Sequence, residues 1–240
     1  DHRDLHSFPT RRSSDLVAPG RNTTVSIVLA DKNTGEKQFY SEYHKSAYID
    51  PLDAGLSHLD GASMLLVDGH WTDQALRSAR EARRRRIPVV ADFKRMYDGL
   101  EEVFPLVDYL IIPRFFAAEI TDETDIEHML RALASRWNCI PVITNGGEGG
   151  SYLLDGVSMR YPVFNIECVD STGAGDAFHG AFCHFLSRGA GIPRALELSS
   201  AVGALNCRAI GGRSALPTTE ELSAFLEEHH ADPQIGRAHV

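Results

Sequence analysis

Short apolar runs alternate along the chain with segments in which apolar residues recur at helical spacing. The runs predict β-strands at residues 25–30, 38–40, 64–67, 88–91, 109–112, 141–144 and 151–154. A turn at residues 33–35 joins the first two strands into a hairpin. Helical spacing predicts helices from about Thr72, over Ile126–Trp137, and from near Asp176, Ile192 and Thr219. Strands alternating with helices predict an α/β fold, a doubly wound, mostly parallel sheet with helices on both faces.

The composition is typical of a soluble globular chain. Of 240 residues, 43% are hydrophobic and 24% charged, and no run approaches the ~18 apolar residues of a membrane span. A net charge of −9 disfavours a nucleic-acid partner. The four cysteines form no CxxC pair and no signal peptide is recognisable, which favours reduced thiols. We therefore expect a cytoplasmic enzyme that binds small molecules, with neither nucleic acid nor membrane as a partner.

Both ends of the chain resemble translated sequencing-adapter DNA. Residues 6–16 resemble the translation of an adapter, and the codons of residues 12–16 and of residues 234–239 can contain segments that are reverse complements of one another. A polar N-terminal tail and a frayed C-terminus are the alternative. We interpret residues 1–16 and 234–240 as artefactual and exclude them from functional argument, which leaves residues 17–233 as the natural part.

Residues 170–182 carry the strongest chemical signal, reading Asp-Ser-Thr-Gly-Ala-Gly-Asp-Ala-Phe-His-Gly-Ala-Phe. The small residues Gly173, Ala174 and Gly175 lie at the start of a predicted helix, whose free N–H groups can bind a phosphate. A carboxylate repels an anion, so Asp176 at this point suggests a proton acceptor for an attacking hydroxyl. A glycine turn with Asp176 as the helix N-cap fits the same residues. Neither a Walker P-loop nor the dinucleotide GxGxxG fingerprint is present.

This segment resembles the C-terminal signature of the ribokinase-like (PfkB-type) carbohydrate kinases, and the resemblance extends over most of residues 17–233. Residues 144–149, Thr-Asn-Gly-Gly-Glu-Gly, resemble the nucleotide-binding turn of that family, and residues 211–217 resemble its late glycine loop. The resemblance implies a ribokinase-like fold. It also implies that residues 24–50 are the remnant of a β lid over the sugar.

The resemblance implies a role for each motif residue. Asp176 would be the general base that takes the proton of a sugar hydroxyl as it attacks the γ-phosphate of ATP. Gly173, Ala174 and Gly175 would form the anion hole, and Mg²⁺ would bridge phosphate oxygens. The implied ATP-binding residues are Thr144, Gly146, Gly149, Gly211 and Gly212. Asp170 and Thr172 would bind a monovalent cation such as K⁺.

The sequence departs from the family in two places. The early strands with a glycine-rich sugar-binding motif are not found, so we expect residues 17–233 to be a C-terminal portion with little activity of its own. Many relatives carry an Asn-x-x-Glu motif for Mg²⁺ and phosphate. The corresponding residues here are Arg114, Phe115, Phe116 and Ala117, which calls that contact into question and leans towards the ketohexokinase-like branch.

Further polar residues follow predicted strands, where ligands of α/β sheets bind. Asp68 and His70 could hydrogen-bond a sugar hydroxyl or form an ordinary strand-to-helix turn. Asp92, Lys94 and Arg95 could contact phosphate or lie in a solvated loop.

Two other groups of residues are interpreted as structural. The arginines at residues 83–86 are interpreted as a solvated helix end, because cations favour the C-terminal end of the helix dipole. His179 and His184 are interpreted as packed helix residues and not as metal ligands.

The leading hypothesis is an ATP-dependent sugar kinase, with a homodimer formed through the lid. A nucleoside kinase of the adenosine type and a non-catalytic nucleotide- or sugar-binding module are the alternatives. A Rossmann oxidoreductase is disfavoured because the glycine motif lies near the end of the chain and not in a first βαβ unit.

Overall fold

The computed structural model describes residues 26–30, 37–41 and 56–230. The predicted artefactual ends therefore lie outside the described residues. The chain divides into two units, residues 1–60 and residues 61–240. In the first unit, strand β1 (Ser26–Ala30) pairs antiparallel with strand β2 (Lys37–Ser41), which confirms the predicted hairpin.

The second unit is built on a six-stranded sheet whose strands lie in chain order. Its strands are β3 (Leu65–Asp68), β4 (Val89–Asp92), β5 (Tyr109–Pro113), β6 (Ile140–Thr144), β7 (Gly150–Leu154) and β8 (Val157–Tyr161). Strands β3 to β6 are parallel, whereas β7 and β8 are antiparallel to their neighbours. The mostly parallel sheet is thus confirmed. Strand β8 was not predicted, because its residues Val-Ser-Met-Arg-Tyr form no continuous apolar run.

Six helices accompany the sheet in the described part of the second unit. They are α1 (Thr72–Arg85), α2 (Arg114–Thr121), α3 (Ile126–Trp137), α4 (Ala174–Ser187), α5 (Ile192–Asn206) and α6 (Thr219–His230). Helix α3 has the predicted bounds, and the side chain of Asp125 caps it by accepting hydrogen bonds from the Glu127 and His128 N–H groups. Helix α2 was not predicted. It follows β5 directly with Pro113 at its N-cap, so no polar capping residue marks its start.

Helices cover both faces of the sheet. Val90, Ile111 and Val142 form one buried cluster with Phe178 and Phe182 of α4. The alternate residues of the same strands are also fully buried, and they therefore face the opposite side of the sheet. Helices α1 and α3 contact these strands and bury their own apolar side chains, in agreement with helices on both faces.

The carboxyl ends of the parallel strands bring polar residues to one edge of the sheet. Asp68 and Asp92 are the last residues of β3 and β4 and are register partners. Pro113 and Thr144 end β5 and β6 and are likewise partners. Asp92 lies two residues after Val90, so its side chain points to the face that α4 covers.

The arginines at the end of α1 are ion-paired at the surface. Arg84 and Arg85 hydrogen-bond the carboxylate of Glu81, which holds the pKa of that carboxyl at about 2. Arg83 donates to Asp108 at 2.9 Å. Their side chains are between 26% and 72% exposed, as expected for a solvated helix end.

No helix among the described residues is long and apolar enough to cross a membrane.

Candidate active site

The N-terminus of α4 is set by a glycine, not by an aspartate. Gly173 is the N-cap, with a φ of 75° that favours glycine, and the helix begins at Ala174. Asp176 lies in the first turn with its side chain 74% exposed. The alternative in which Asp176 caps the helix is therefore wrong, and its carboxylate is available to a ligand.

Gly173 packs directly against the late glycine loop. A Cβ atom built at Gly173 would lie 2.5 Å from the carbonyl oxygen of Gly212 and 2.7 Å from its Cα. Asp170 fastens the same junction, because its carboxylate accepts the N–H of Thr172 at 2.9 Å and the N–H of Gly211 at 3.0 Å. The structure thus joins the motif of residues 170–175 to Gly211 and Gly212 through a backbone contact and the Asp170 side chain.

A large cleft of about 620 Å³ lies beside this junction. Its wall includes Thr144, Gly146 and Gly149 of the predicted nucleotide turn together with Ala174 and Gly175 of α4. Apolar side chains complete it, among them Val163, Phe164, Phe178 and Ala204. Gly211 and Gly212 are not among the lining residues; Gly212 packs against Gly173, the residue before Ala174 in the cleft wall. The cleft combines the N-terminal end of helix α4 with an apolar wall, which suits a ligand that has an anionic group and a flat apolar portion.

A second cavity of about 80 Å³ lies at the ends of β3 and β4. Asp68, His70 and Asp176 line it, together with Lys94 and Tyr97. Asp68 accepts the N–H of His70 at 3.0 Å, so it forms the strand-to-helix turn that was weighed against a ligand role. Its carboxylate borders the cavity all the same. The predicted sugar-binding residues and Asp176 are therefore brought together.

Asp92 and Lys94 stand between the two cavities and line both. The Lys94 ammonium lies 3.4 Å from Asp92 Oδ2 and 3.5 Å from Asp176 Oδ1. Partial burial lowers the pKa of Lys94, but the carboxylates of Asp92 and Asp176 outweigh this effect and raise the pKa above its ordinary value. Lys94 is therefore a stable cation beside Asp176.

His179 is buried in α4, as predicted, and it connects three elements. Its Nδ1 lies 2.7 Å from the carbonyl oxygen of Gly175, and its Nε2 lies 3.2 Å from that of Ile111 in β5. Nδ1 is also 3.5 Å from Asp92 Oδ2. Residue spacing in the sequence cannot predict that His179 contacts Asp92 and Ile111, because these contacts depend on how α4 crosses β4 and β5.

Residues 114–117 form the first turn of α2 beside Thr144 and Gly146. Arg114 and Phe115 are exposed and border an open cavity of about 560 Å³ next to the cleft. Ala117 is fully buried and has no ligand atom, so this turn does not fit the metal contact of the Asn-x-x-Glu motif. Among the described residues, no group of three or more His, Cys, Asp and Glu side chains could hold a metal ion.

Residues 13–219 match the family model described as pfkB family carbohydrate kinase. An ATP-dependent ribose-1-phosphate kinase of Halopiger xanaduensis is 28% identical over 229 residues, which cover 94% of this chain and 75% of that protein. A 5-dehydro-2-deoxygluconokinase of Bacillus thuringiensis is 31% identical over 130 residues, which cover 54% of this chain and only 37% of that protein.

Solved structures share the fold. A ribokinase-like protein of Agrobacterium tumefaciens superposes with a TM-score of 0.77 at 27% identity, covering 90% of this chain and 72% of that one. A ribokinase-like protein of Escherichia coli, Ribokinase II in complex with ATP and Mg²⁺, superposes with a TM-score of 0.72 at 19% identity. That match covers 81% of this chain and 69% of the E. coli chain.

Alanine at Gly173 is expected to destabilise the protein by about 1–3 kcal/mol, because its Cβ would meet the Gly212 backbone and its φ is positive. Gly180 on the same helix is the matched control, since a Cβ there meets nothing within 4 Å. We expect Gly180→Ala to stabilise the helix by about 0.5–1 kcal/mol. Urea unfolding measures both, and Gly173→Ala with wild-type stability would contradict the close backbone contact.

Proposed function

Since the chain belongs to the pfkB family of carbohydrate kinases, we propose that it transfers the γ-phosphoryl group of ATP to a sugar hydroxyl, with Asp176 as the general base. One observation carries the proposal. The first turn of α4 separates two cavities, with Ala174 and Gly175 in the wall of the large cleft and Asp176 in the wall of the small cavity. A phosphate donor and a hydroxyl acceptor can therefore approach the same turn from two sides.

In the proposed reaction the acceptor hydroxyl lies in the small cavity and gives its proton to the Asp176 carboxylate. The hydroxyl oxygen forms a bond to the γ-phosphorus while the bond between that phosphorus and the β,γ-bridging oxygen breaks. The electron pair of the broken bond leaves on ADP. The N–H groups of Gly173, Ala174 and Gly175 are proposed to stabilise the charge on the transferring group, the Ala174 N–H while also donating to the Ser171 carbonyl oxygen at 3.3 Å.

The nucleotide is proposed to occupy the large cleft. Thr144, Gly146 and Gly149 would contact it along one wall, while Gly211 and Gly212 act from behind Gly173. Mg²⁺ would enter with ATP as the MgATP substrate and neutralise phosphate charge. The complex of E. coli Ribokinase II with ATP and Mg²⁺ supports this assignment by analogy of fold.

The acceptor is proposed to be a sugar or a close derivative. Asp68 offers an acceptor for hydroxyl protons, and His70 and Tyr97 border the same cavity with their rings 5.6 Å apart. The names of the relatives, a ribose-1-phosphate kinase and a 5-dehydro-2-deoxygluconokinase, support the sugar class and leave the particular sugar open.

The hairpin of the first unit is proposed to be a lid and a dimer contact. Ile27, Leu29 and Tyr40 are 54% to 61% exposed, and Tyr40 is the register partner of Ile27. Such apolar exposure on one small hairpin supports a contact with a second copy.

We propose that K⁺ binds near Asp170 and Thr172. Asn206 donates its amide to the Thr172 carbonyl at 3.2 Å, and its own Oδ1 is buried with no hydrogen-bond partner in the described part of the chain. A buried oxygen without a partner fits an oxygen-coordinated cation. Potassium chloride should raise the melting temperature above that in choline chloride of equal ionic strength. Equal melting temperatures in the two salts would argue against the site.

Replacing Asp176 by asparagine removes the proton acceptor while keeping the shape of the side chain. In a complete enzyme that carries this change, we expect sugar-dependent ADP release to fall about 10²–10⁴-fold, with ADP affinity and unfolding free energy close to wild type. A coupled ADP assay, calorimetric ADP titration and urea unfolding measure the three quantities. Turnover near the wild-type rate in this variant would refute the role of Asp176.

Cys168 should report nucleotide binding, because it is exposed and lines the large cleft. Burial raises the pKa of Cys139 and of Cys183 to about 12, which leaves these thiols unreactive at pH 8. Ellman's reagent should therefore modify Cys168 first, and saturating MgATP should slow that reaction at least tenfold. Cys168→Ser, which removes the fast phase, is the control. A rate that ATP leaves unchanged would place the nucleotide elsewhere.

A further inference from the structure

Lys94 occupies the boundary between the two cavities. Its ammonium group lies 3.5 Å from the Asp176 carboxylate, and both Lys94 and Asp92 line the large cleft and the small cavity. Under the proposed function, the transferred phosphoryl group crosses this boundary. A cation placed here would therefore lie beside the phosphorus at the moment of transfer.

Apart from Lys94, the charged side chains that line the two cavities are carboxylates. Asp68, Asp92 and Asp176 contribute three carboxylates to the small cavity. Among the described residues that line the two cavities, Lys94 is the one lysine or arginine. An incoming phosphate would be repelled by these carboxylates unless a cation offsets them. Lys94 is the side chain placed to do this.

The ion pairs of Lys94 are loose enough to be exchanged. Its nitrogen lies 3.4 Å from Asp92 and 3.5 Å from Asp176, whereas tight charge-assisted hydrogen bonds measure about 2.7–2.9 Å. The Lys94 side chain is 56% exposed, so it keeps room to move. A lysine whose role was to lock Asp176 in place would be held more closely.

Asp92 is placed to keep Lys94 in the site after Asp176 is neutralised. The Asp92 side chain is only 11% exposed, and its Oδ1 is buried with no hydrogen-bond partner among the residues described. Its Oδ2 lies 3.5 Å from His179, which is held between the carbonyl oxygens of Gly175 and Ile111. Asp92 is therefore a fixed carboxylate with spare acceptor capacity.

We propose that Lys94 is a catalytic residue whose ammonium group leaves Asp176 and contacts the transferring phosphoryl oxygens. The inference rests on the proposed function. When Asp176 accepts the hydroxyl proton it loses its negative charge and with it the attraction for Lys94. The ammonium then stabilises the charge on the phosphoryl group and the leaving oxygen, keeping its own proton throughout, while Asp92 remains its charged partner. Asp92 and His179 are positioning residues in this scheme.

Lys94→Met tests the inference because methionine preserves the length of the side chain and removes its charge. In a complete enzyme that carries this change, we expect kcat for sugar-dependent ADP release to fall about 10²–10³-fold, with the KM for MgATP changed less than about threefold. The Lys94→Arg variant should have a kcat at least tenfold higher than that of Lys94→Met. Arg131→Gln, which removes a surface cation paired with Glu127 on α3, is the matched control and should match wild type.

Binding of ADP with aluminium fluoride, which mimics the phosphoryl group in transfer, gives a readout independent of turnover. The Lys94→Met variant should bind ADP alone with a Kd within about threefold of wild type. Aluminium fluoride increases the affinity for ADP, and this increase should be at least tenfold smaller in the variant than in wild type. The same loss should occur in an Asp176→Asn background, because Lys94 is proposed to contact the phosphoryl group itself. If Lys94 acted only through Asp176, Lys94→Met would cause no loss of affinity in the Asp176→Asn background.

The outcomes separate the inference from the proposed function. A wild-type chain that binds neither ADP nor ADP with aluminium fluoride overturns both. If aluminium fluoride increases the ADP affinity of the wild-type chain and of a folded Lys94→Met variant by the same factor, the inference alone is overturned. If urea unfolding shows that Lys94→Met is unstable, Lys94→Gln replaces it in the same titration, and retained affinity again overturns the role of Lys94.

Discussion

The contact between the backbones of Gly173 and Gly212 determines where the first turn of α4 lies. No side chain fits between them, since a Cβ at Gly173 would lie 2.5 Å from the Gly212 carbonyl oxygen. Asp170 holds the same two segments together through the N–H groups of Thr172 and Gly211. The N-terminal turn of α4 and the carboxylate of Asp176 are therefore positioned by a junction that tolerates little change in either loop.

The alternation of the strands decides which polar groups meet this turn. Asp92 shares the face of Val90 that packs under α4, so its carboxylate is buried beside His179. Lys94 lies two residues beyond the strand and reaches Asp176 on the helix above it. Asp92, Lys94 and Asp176 thus combine one largely buried carboxylate, one partly exposed cation and one exposed carboxylate. They differ in burial because Asp92 ends strand β4, Lys94 lies in the loop that follows it and Asp176 lies in the first turn of α4.

The sequence predicts what is encoded locally and misses what depends on packing. Helix α3 has predicted bounds because its apolar spacing and its Asp125 cap agree. Helix α2 was not predicted because Pro113 supplies no capping side chain. Strand β8 was not predicted because its polar residues interrupt the apolar run by which a strand is recognised. The motif at residues 170–176 located the site, yet periodicity favoured a helix beginning at Asp176, whereas the positive φ of Gly173 ends the loop earlier. Lys94 and Asp176 are 82 residues apart, and only the fold brings them together.

The first turn of α4 places the Asp176 carboxylate within three residues of the proposed anion-binding N-terminus of the helix. If both groups faced the same space, the carboxylate would repel the anion. A carboxylate in the first turn is itself favoured by the helix dipole and would compete with phosphate for it. Successive residues of a helix point in directions about 100° apart. Ala174 and Gly175 therefore border the large cleft while Asp176 borders the small cavity. The helix thus presents its N-terminal dipole to one space and the Asp176 carboxylate to the other, so the carboxylate does not occupy the place proposed for the phosphate. Lys94 lines both spaces. It lies between the Asp176 carboxylate and the place proposed for the phosphate, two negative charges that would otherwise repel each other.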